Sequence, residues 1–243
     1  MHGGGSHRAS AGPARRSSWR HAVQALVLCF SLFADVVHGT FPLPFLPTTL
    51  SDEGRSNWEI GVVMGLFNTS SLCGYLVIIG YQTLFAREGS SVQTQWHVLA
   101  ASSLAVAATT LLITIAPVYG VFVVARLTQG VISAVVWTFS MTLASDVPPI
   151  FGIEAISIVM AGSSLGEVTG PFLGALFFGV SGGSIRLSFL PMALLSLLNF
   201  SSIMVARRWS SNAGGLSTVH DEVESLVGGG QPPEAPLSPD RGH

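Results

Sequence analysis

Lysine is missing altogether: the eleven cationic residues of this 243-residue chain are all arginines. We read this as a compositional bias of the source, without functional content. Charge of either sign is also scarce, at 10% of residues, where soluble domains carry about a quarter. Most of the chain therefore has no solvated face to show, which excludes an ordinary soluble domain. The formal net charge is −2, so no basic field is available to gather nucleic acid. Cysteine occurs only as Cys29 and Cys73, far apart and within apolar stretches; both read as reduced packing residues rather than a disulfide. A metal-ligand cluster, a Walker-type phosphate loop and a dinucleotide fingerprint are absent from the sequence as well. No cofactor and no metal is expected, and enzymatic chemistry finds no support.

What the chain has in abundance is apolar surface, 49% of its residues. A bilayer core about 30 Å thick needs about 20 apolar residues at about 1.5 Å each. Six segments meet that need, roughly 21–46, 58–83, 96–116, 119–143, 152–179 and 186–206. The expected fold is therefore an all-α, multi-pass membrane domain over 21–206. The separators, such as "SDEGRSN", "SDVPPIFGIE" and "SGGS", carry the polar, Pro and Gly residues that end helices. Residues 1–20 form a basic, Gly/Ser-rich stretch, and residues 207–243 are rich in Gly, Pro, Ser and acids. Both are expected to be disordered tails, the second with a transient helix at most over "STVHDEVESLV". The first apolar run is too long for a signal peptide and has no convincing cleavage site, so it is expected to stay as an uncleaved span. Arg8, Arg15, Arg16, Arg20, Arg87, Arg207 and Arg208 fall on one side of six alternating spans. By the positive-inside rule both termini are expected in the cytoplasm. Two sequons, at Asn68 and Asn199, lie inside predicted helices and are discounted.

Three charged residues stand out within predicted spans: Asp35, Arg126 and Glu167. Each costs at least about 2.5–3.5 kcal/mol at a bilayer centre and is expected to face the bundle interior or a cavity. Asp35 could bind a cation or a proton, and His38 follows about one turn later on a similar face. Arg126 is followed at i+3 and i+4 by Gln129 and Gly130, a group placed to clamp an acidic partner on the first span. In "GSSLGEVTGPFLG", Gly162, Gly166, Gly170 and Gly174 recur every four residues. On a helix they drift by about 40° per step and leave one face bare of side chains, so another helix backbone can approach closely. Pro171 removes a backbone hydrogen bond and is expected to bend that helix. Glu167 lies about 20° beyond the edge of the glycine face, as a carboxylate at the contact seam. Gly162-Ser163-Ser164-Leu165-Gly166 also fits the G-x-S-x-G pattern of serine hydrolases, but that pattern needs a strand-to-helix elbow. Intramembrane proteases take their histidine from a late span, and the sixth span here has none.

Three of these segments resemble the N-terminal half of major facilitator superfamily transporters. The similarity is greatest to the drug:proton antiporter branch, which includes vesicular amine transporters and many fungal members. Asp35 with Pro44 and Pro47 is similar to that branch's D-x8-P-x2-P. Arg126, Gln129, Gly130 and Ala134 resemble its R-x2-Q-G-x3-A element, and Gly170-Pro171-x2-Gly174 resembles the end of its antiporter motif. The three cover about 15 to 180, in order and in spacing. The resemblance implies that Asp35 recognises an ammonium group, that Arg126 takes part in proton coupling, and that the glycine–proline motif helps the two transporter halves close. It also implies two halves that rock about a midplane site.

Two departures accompany it. The loop after the second span keeps Gly80, Arg87 and Gly89 but lacks the family's Asp-Arg pair and basic cluster, and Glu167 stands where the motif is usually small, polar or apolar. The chain also holds one six-helix half. The expectation is a proton-coupled exporter or antiporter of small drug- or amine-like solutes in a plasma or internal membrane, truncated to its N-terminal half. The alternative is a non-transporting half that assembles with a full-length relative. Its expected partners are the bilayer, an organic substrate, the proton and a second six-helix half or second copy, with Asp35, Arg126, Gln129 and Glu167 as the binding residues.

Overall fold

A computed structural model describes residues 13–84, 91–150 and 152–228. Its elements are α1 (Pro13–Thr40), α2 (Leu46–Asp52), α3 (Asn57–Leu84), α4 (Val92–Ile115), α5 (Tyr119–Ser145), α6 (Ala155–Val180) and α7 (Ile185–Gly228). Six stretches are long and apolar enough to cross a membrane: Trp19–Thr40, Asn57–Gly80, Val92–Ile115, Tyr119–Ser145, Ala155–Val180 and Ile185–Ser210. In hydrocarbon every backbone N–H and C=O must be bonded within the segment, and a helix achieves this. The protein is an all-helical, multi-pass membrane protein.

Local chemistry sets the boundaries. The first span stops at Thr40, short of the expected 46, because Pro42 and Pro44 have no N–H to continue the ladder. The chain turns there into α2, a short helix that sequence reading missed. α3 begins with a reciprocal cap: the Glu59 amide donates to Ser56 Oγ at 3.3 Å, and the Ser56 amide donates to Glu59 Oε2 at 2.9 Å. Ser91 caps α4 by accepting from the Thr94 amide at 3.2 Å. The turn after α6 uses Gly182 and Gly183, whose φ angles of 66° and 81° suit glycine.

Two helices overrun the expected tails. α1 starts at Pro13, because proline is well placed in a first turn and Arg, Ser, Trp and Ala continue the helix. α7 stays helical to Gly228, where a disordered tail from 207 was expected. The stretch "STVHDEVESLV" has few breakers and goes with it. Residues 1–12 and 229–243, and the arginine-bearing loop at Arg87 and Gly89, lie outside the described residues. The bundle is one compact unit through Arg207, and the chain from Arg208 forms another.

Within the bundle α1 packs along α6 and α5, and α5 packs also on α3 and α4. The core has two apolar clusters. One includes Leu28, Leu32, Trp96, Leu99, Val136, Leu143 and Ile203. The other includes Val37, Phe41, Phe45, Ile113, Phe122 and Phe189. Along α1, α5 and α7 most of the buried polar residues fall about the junction of these clusters: Asp35 and His38, then Arg126, Gln129 and Ser133, then Ser196 and Asn199. A polar layer thus crosses the middle of an apolar bundle. Polar residues so placed are expensive to keep in a membrane, which marks the layer as the place to look for function.

Candidate functional site

Asp35 is buried in that layer at 7% exposure. Ser133 Oγ, from α5, donates to its Oδ2 at 2.6 Å, a short charge-assisted bond. The carboxylate borders a groove of about 300 Å³, whose walls include Thr40, Met64, Phe67, Tyr75 and Trp137. Glu167 lines the same groove from α6. None of the described residues lining it is a cation. The groove therefore presents two carboxylates among aromatic and small polar groups, a surface suited to a cationic, partly apolar solute.

Glu167 thus borders a cavity, as a charged residue in a span is expected to, but takes no part in the helix seam. It is exposed and forms no hydrogen bond or ion pair with the described residues. It lies beyond the edge of the glycine stripe and lines the groove instead.

Arg126 reaches α1 as expected, but not at its acid. Its Nη1 donates to the His38 carbonyl at 3.0 Å, and the guanidinium lies over the Phe67 ring at 5.9 Å. The expected clamp on an acidic side chain is not formed among the described residues. Gln129 turns to α4 instead, donating to Thr110 Oγ1 at 3.2 Å. Gly130 packs on α3, where a Cβ would strike Ser70 Oγ and the Phe67 carbonyl. The three residues serve three neighbouring helices, because successive positions of a central helix face different partners. Arg126 is a long side chain that ends at a backbone acceptor; Asp35 is satisfied by a serine instead.

The glycine stripe of α6 lies against α1. A Cβ at Gly162 would meet the Cys29 carbonyl, one at Gly166 would meet the Phe33 carbonyl oxygen at 2.8 Å and Val36 Cβ at 2.9 Å, and one at Gly174 would meet the Phe41 carbonyl. At Gly170 the obstacle is the Thr40 hydroxyl. The close backbone approach read from the sequence is present, within the bundle. Pro171 sits within an unbroken α6 and offers no N–H to the Glu167 carbonyl one turn back. Cys29 packs beneath Gly162, whereas Cys73 is exposed on α3 and does not pack; both are free thiols. Ser164, the centre of the hydrolase-like pentapeptide, lies mid-helix and donates to the Met160 carbonyl at 3.3 Å. It stands on no strand-to-helix elbow.

Sequence reading missed the polar partners. Ser133 lies two turns after Arg126, and Asn199 lies within the last span. Asn199 accepts from Ser31 Oγ at 2.9 Å and donates to Ser103 Oγ at 2.9 Å, which joins α7 to α1 and α4. An amide in an apolar span is the available signal, and the sequon at Asn199 masks it.

The profile of the Major Facilitator Superfamily matches residues 25–214. A search of curated proteins returned no significant match. The matched region holds five of the six spans whole, most of the first from residue 25, and every residue of the polar layer, and with the helical architecture it decides the family. The chain belongs to the Major Facilitator Superfamily and is a membrane transporter of that kind.

Proposed function

We propose that the transported solute is a small organic, amine-like cation moved against a proton, with Asp35 as the group that binds one or the other. The observation that carries this reading is the groove of about 300 Å³ with Asp35 and Glu167 on its wall and no lining cation. A proton and an ammonium compete for the same carboxylate, and that competition is the simplest coupling an antiporter can use. Phe67, Tyr75 and Trp137 supply ring faces for a cation and area for an apolar body. Glu167 is a second attraction for positive charge, and Arg126 holds α1 and α5 in register about the site. The arginines gathered on one side of the spans support cytoplasmic termini.

The membrane-spanning faces of α3 and α6, which both border the groove, expose Leu72, Leu76, Val168 and Phe172. Lipid covers such faces as readily as protein does; we take a second six-helix unit, another half or a second copy, as the other wall of the cavity. The reading that this chain serves as an assembling half rests on the same faces. Cross-linking in native membranes separates the two by showing which unit is bound.

Coupling is tested in proteoliposomes holding the full chain with its second unit. Asp35→Asn is expected to abolish uptake of an amine probe driven by a proton gradient. Undiminished gradient-driven uptake by that variant overturns the proposal.

A further inference from the structure

Asp35 also borders a second and much smaller space. It measures about 10 Å³ and is lined by Ser31, Asp35, His38, Ser103, Ser196 and Asn199 together with small apolar side chains. All of its lining residues are buried. Such a volume holds about one water, and a buried water needs two to four polar partners, which this lining supplies. Asp35 borders both spaces and so stands between them.

His38 meets this cavity in a particular way. Its Nδ1 is 2.7 Å from the Ala34 carbonyl, an acceptor only, so Nδ1 carries a hydrogen. Its Nε2 is 2.8 Å from Ser196 Oγ and 3.1 Å from the Met192 carbonyl. Ser196 Oγ is also 3.1 Å from that carbonyl. In the neutral ring, Nε2 accepts from the serine hydroxyl. In the charged ring, Nε2–H donates to the Met192 carbonyl or to the serine oxygen, and the hydroxyl turns away. Both states keep Nε2 paired with no movement of heavy atoms.

We propose that His38 is a second proton-holding residue, joined to Asp35 through one buried water and the Ser196 hydroxyl. The proton on the Asp35 carboxyl passes to the water, the water passes one to Ser196 Oγ, and the hydroxyl passes its own to Nε2. The carboxyl loses one proton, the imidazole gains one, and water and serine end as they began. The charged groups facing His38 are Asp35 on its own helix and Arg126 from α5; α7 presents Met192 and Ser196, and α4 presents Ser103, none of which ionises. Glu167 of α6 faces the groove and not this cavity. The use of this proton in transport rests on the proton-coupled reading above, but the linkage between the two side chains does not.

The test is a titration of the full chain labelled with ¹⁵N-histidine, in detergent or nanodiscs, from about pH 5 to about pH 9. His38→Gln identifies the His38 signal by its loss; should that variant fail to fold, Ser196→Ala identifies it by perturbing Nε2. We expect Nε2 to convert from acceptor to protonated nitrogen within that range, and Asp35→Asn to move the midpoint by about one unit or more. That result supports the inference even if gradient-driven uptake proves absent. A His38 signal that does not titrate, or one whose midpoint ignores Asp35→Asn, overturns it even where Asp35→Asn abolishes uptake.

Discussion

Alanine placed at each glycine of the α6 stripe should reveal which atoms of α1 cannot yield. At Gly162 and Gly174 the new methyl meets the backbone carbonyls of Cys29, in α1, and Phe41, in the turn just after it. Packed backbone has no rotamer to change, so α6 must move away. Overpacking of this kind costs about 1–3 kcal/mol. At Gly170 the obstacle is Thr40 Oγ1, which also donates to the Val36 carbonyl at 2.9 Å. Rotation of that side chain clears the methyl for the loss of one hydrogen bond, about 0.5–1.5 kcal/mol. Gly166 falls between, with Val36 Cβ at 2.9 Å. Gly61 and Gly65 of α3 are exposed, and nothing lies within 4 Å of a Cβ there. Alanine at those two sites should be neutral to within about 0.5 kcal/mol. Part of the helix-propensity gain is lost, since spans stay helical when the bundle comes apart. Thermal unfolding in one detergent reads the series. At about 2–4 °C per kcal/mol, Gly162→Ala and Gly174→Ala should lower Tm by about 2–12 °C. The order of loss should be Gly162 and Gly174 first, then Gly166, then Gly170. If Gly162→Ala and Gly174→Ala melt within about 1 °C of Gly61→Ala, the stripe is not a backbone contact and the reasoning fails.

Three other substitutions follow from named partners. Gln129→Leu should cost less than about 1 kcal/mol in the same melt, because Thr109 and Thr110 keep their bonds to the Val106 carbonyl; a larger loss would mean that Gln129 has a role beyond this contact. Asn199→Leu removes two bonds that tie α7 to α1 and α4, and should cost about 1–2 kcal/mol; a melt equal to that of the native chain would refute the network. Glu167→Gln should leave Tm unchanged, since the side chain is exposed, while weakening competition by organic cations for the groove. A fall in Tm with unaltered competition would make Glu167 structural.

Some residues could be read in one dimension and others could not. Asp35 was legible because a carboxylate in an apolar span has few bland explanations. The glycine stripe was legible because its spacing follows the helix period. Ser133, Ser196 and Asn199 were not: serine and asparagine occur throughout the spans, and several serines here only donate to a carbonyl one turn back, as Ser102 does at 2.9 Å. Arg126 shows the opposite error. Its neighbours in sequence suggested one cluster, yet Gln129 and Gly130 leave it for α4 and α3.

Composition and periodicity by themselves determined the class, the six spans and the residues too costly to be incidental, because a bilayer penalises charge and unpaired backbone at every position alike. Local chemistry went further at single points, as where the prolines after Thr40 end α1. Only the tertiary structure decided what each costly residue touches. The side of a helix that meets α1, α3 or α4 depends on the rotation of the whole bundle, and a rotation has no trace in a list of residues. That is why Glu167, read as part of a seam, stands in the groove across from Asp35. It is also why His38, which looked like a companion on a shared face, lies beside a water-sized space.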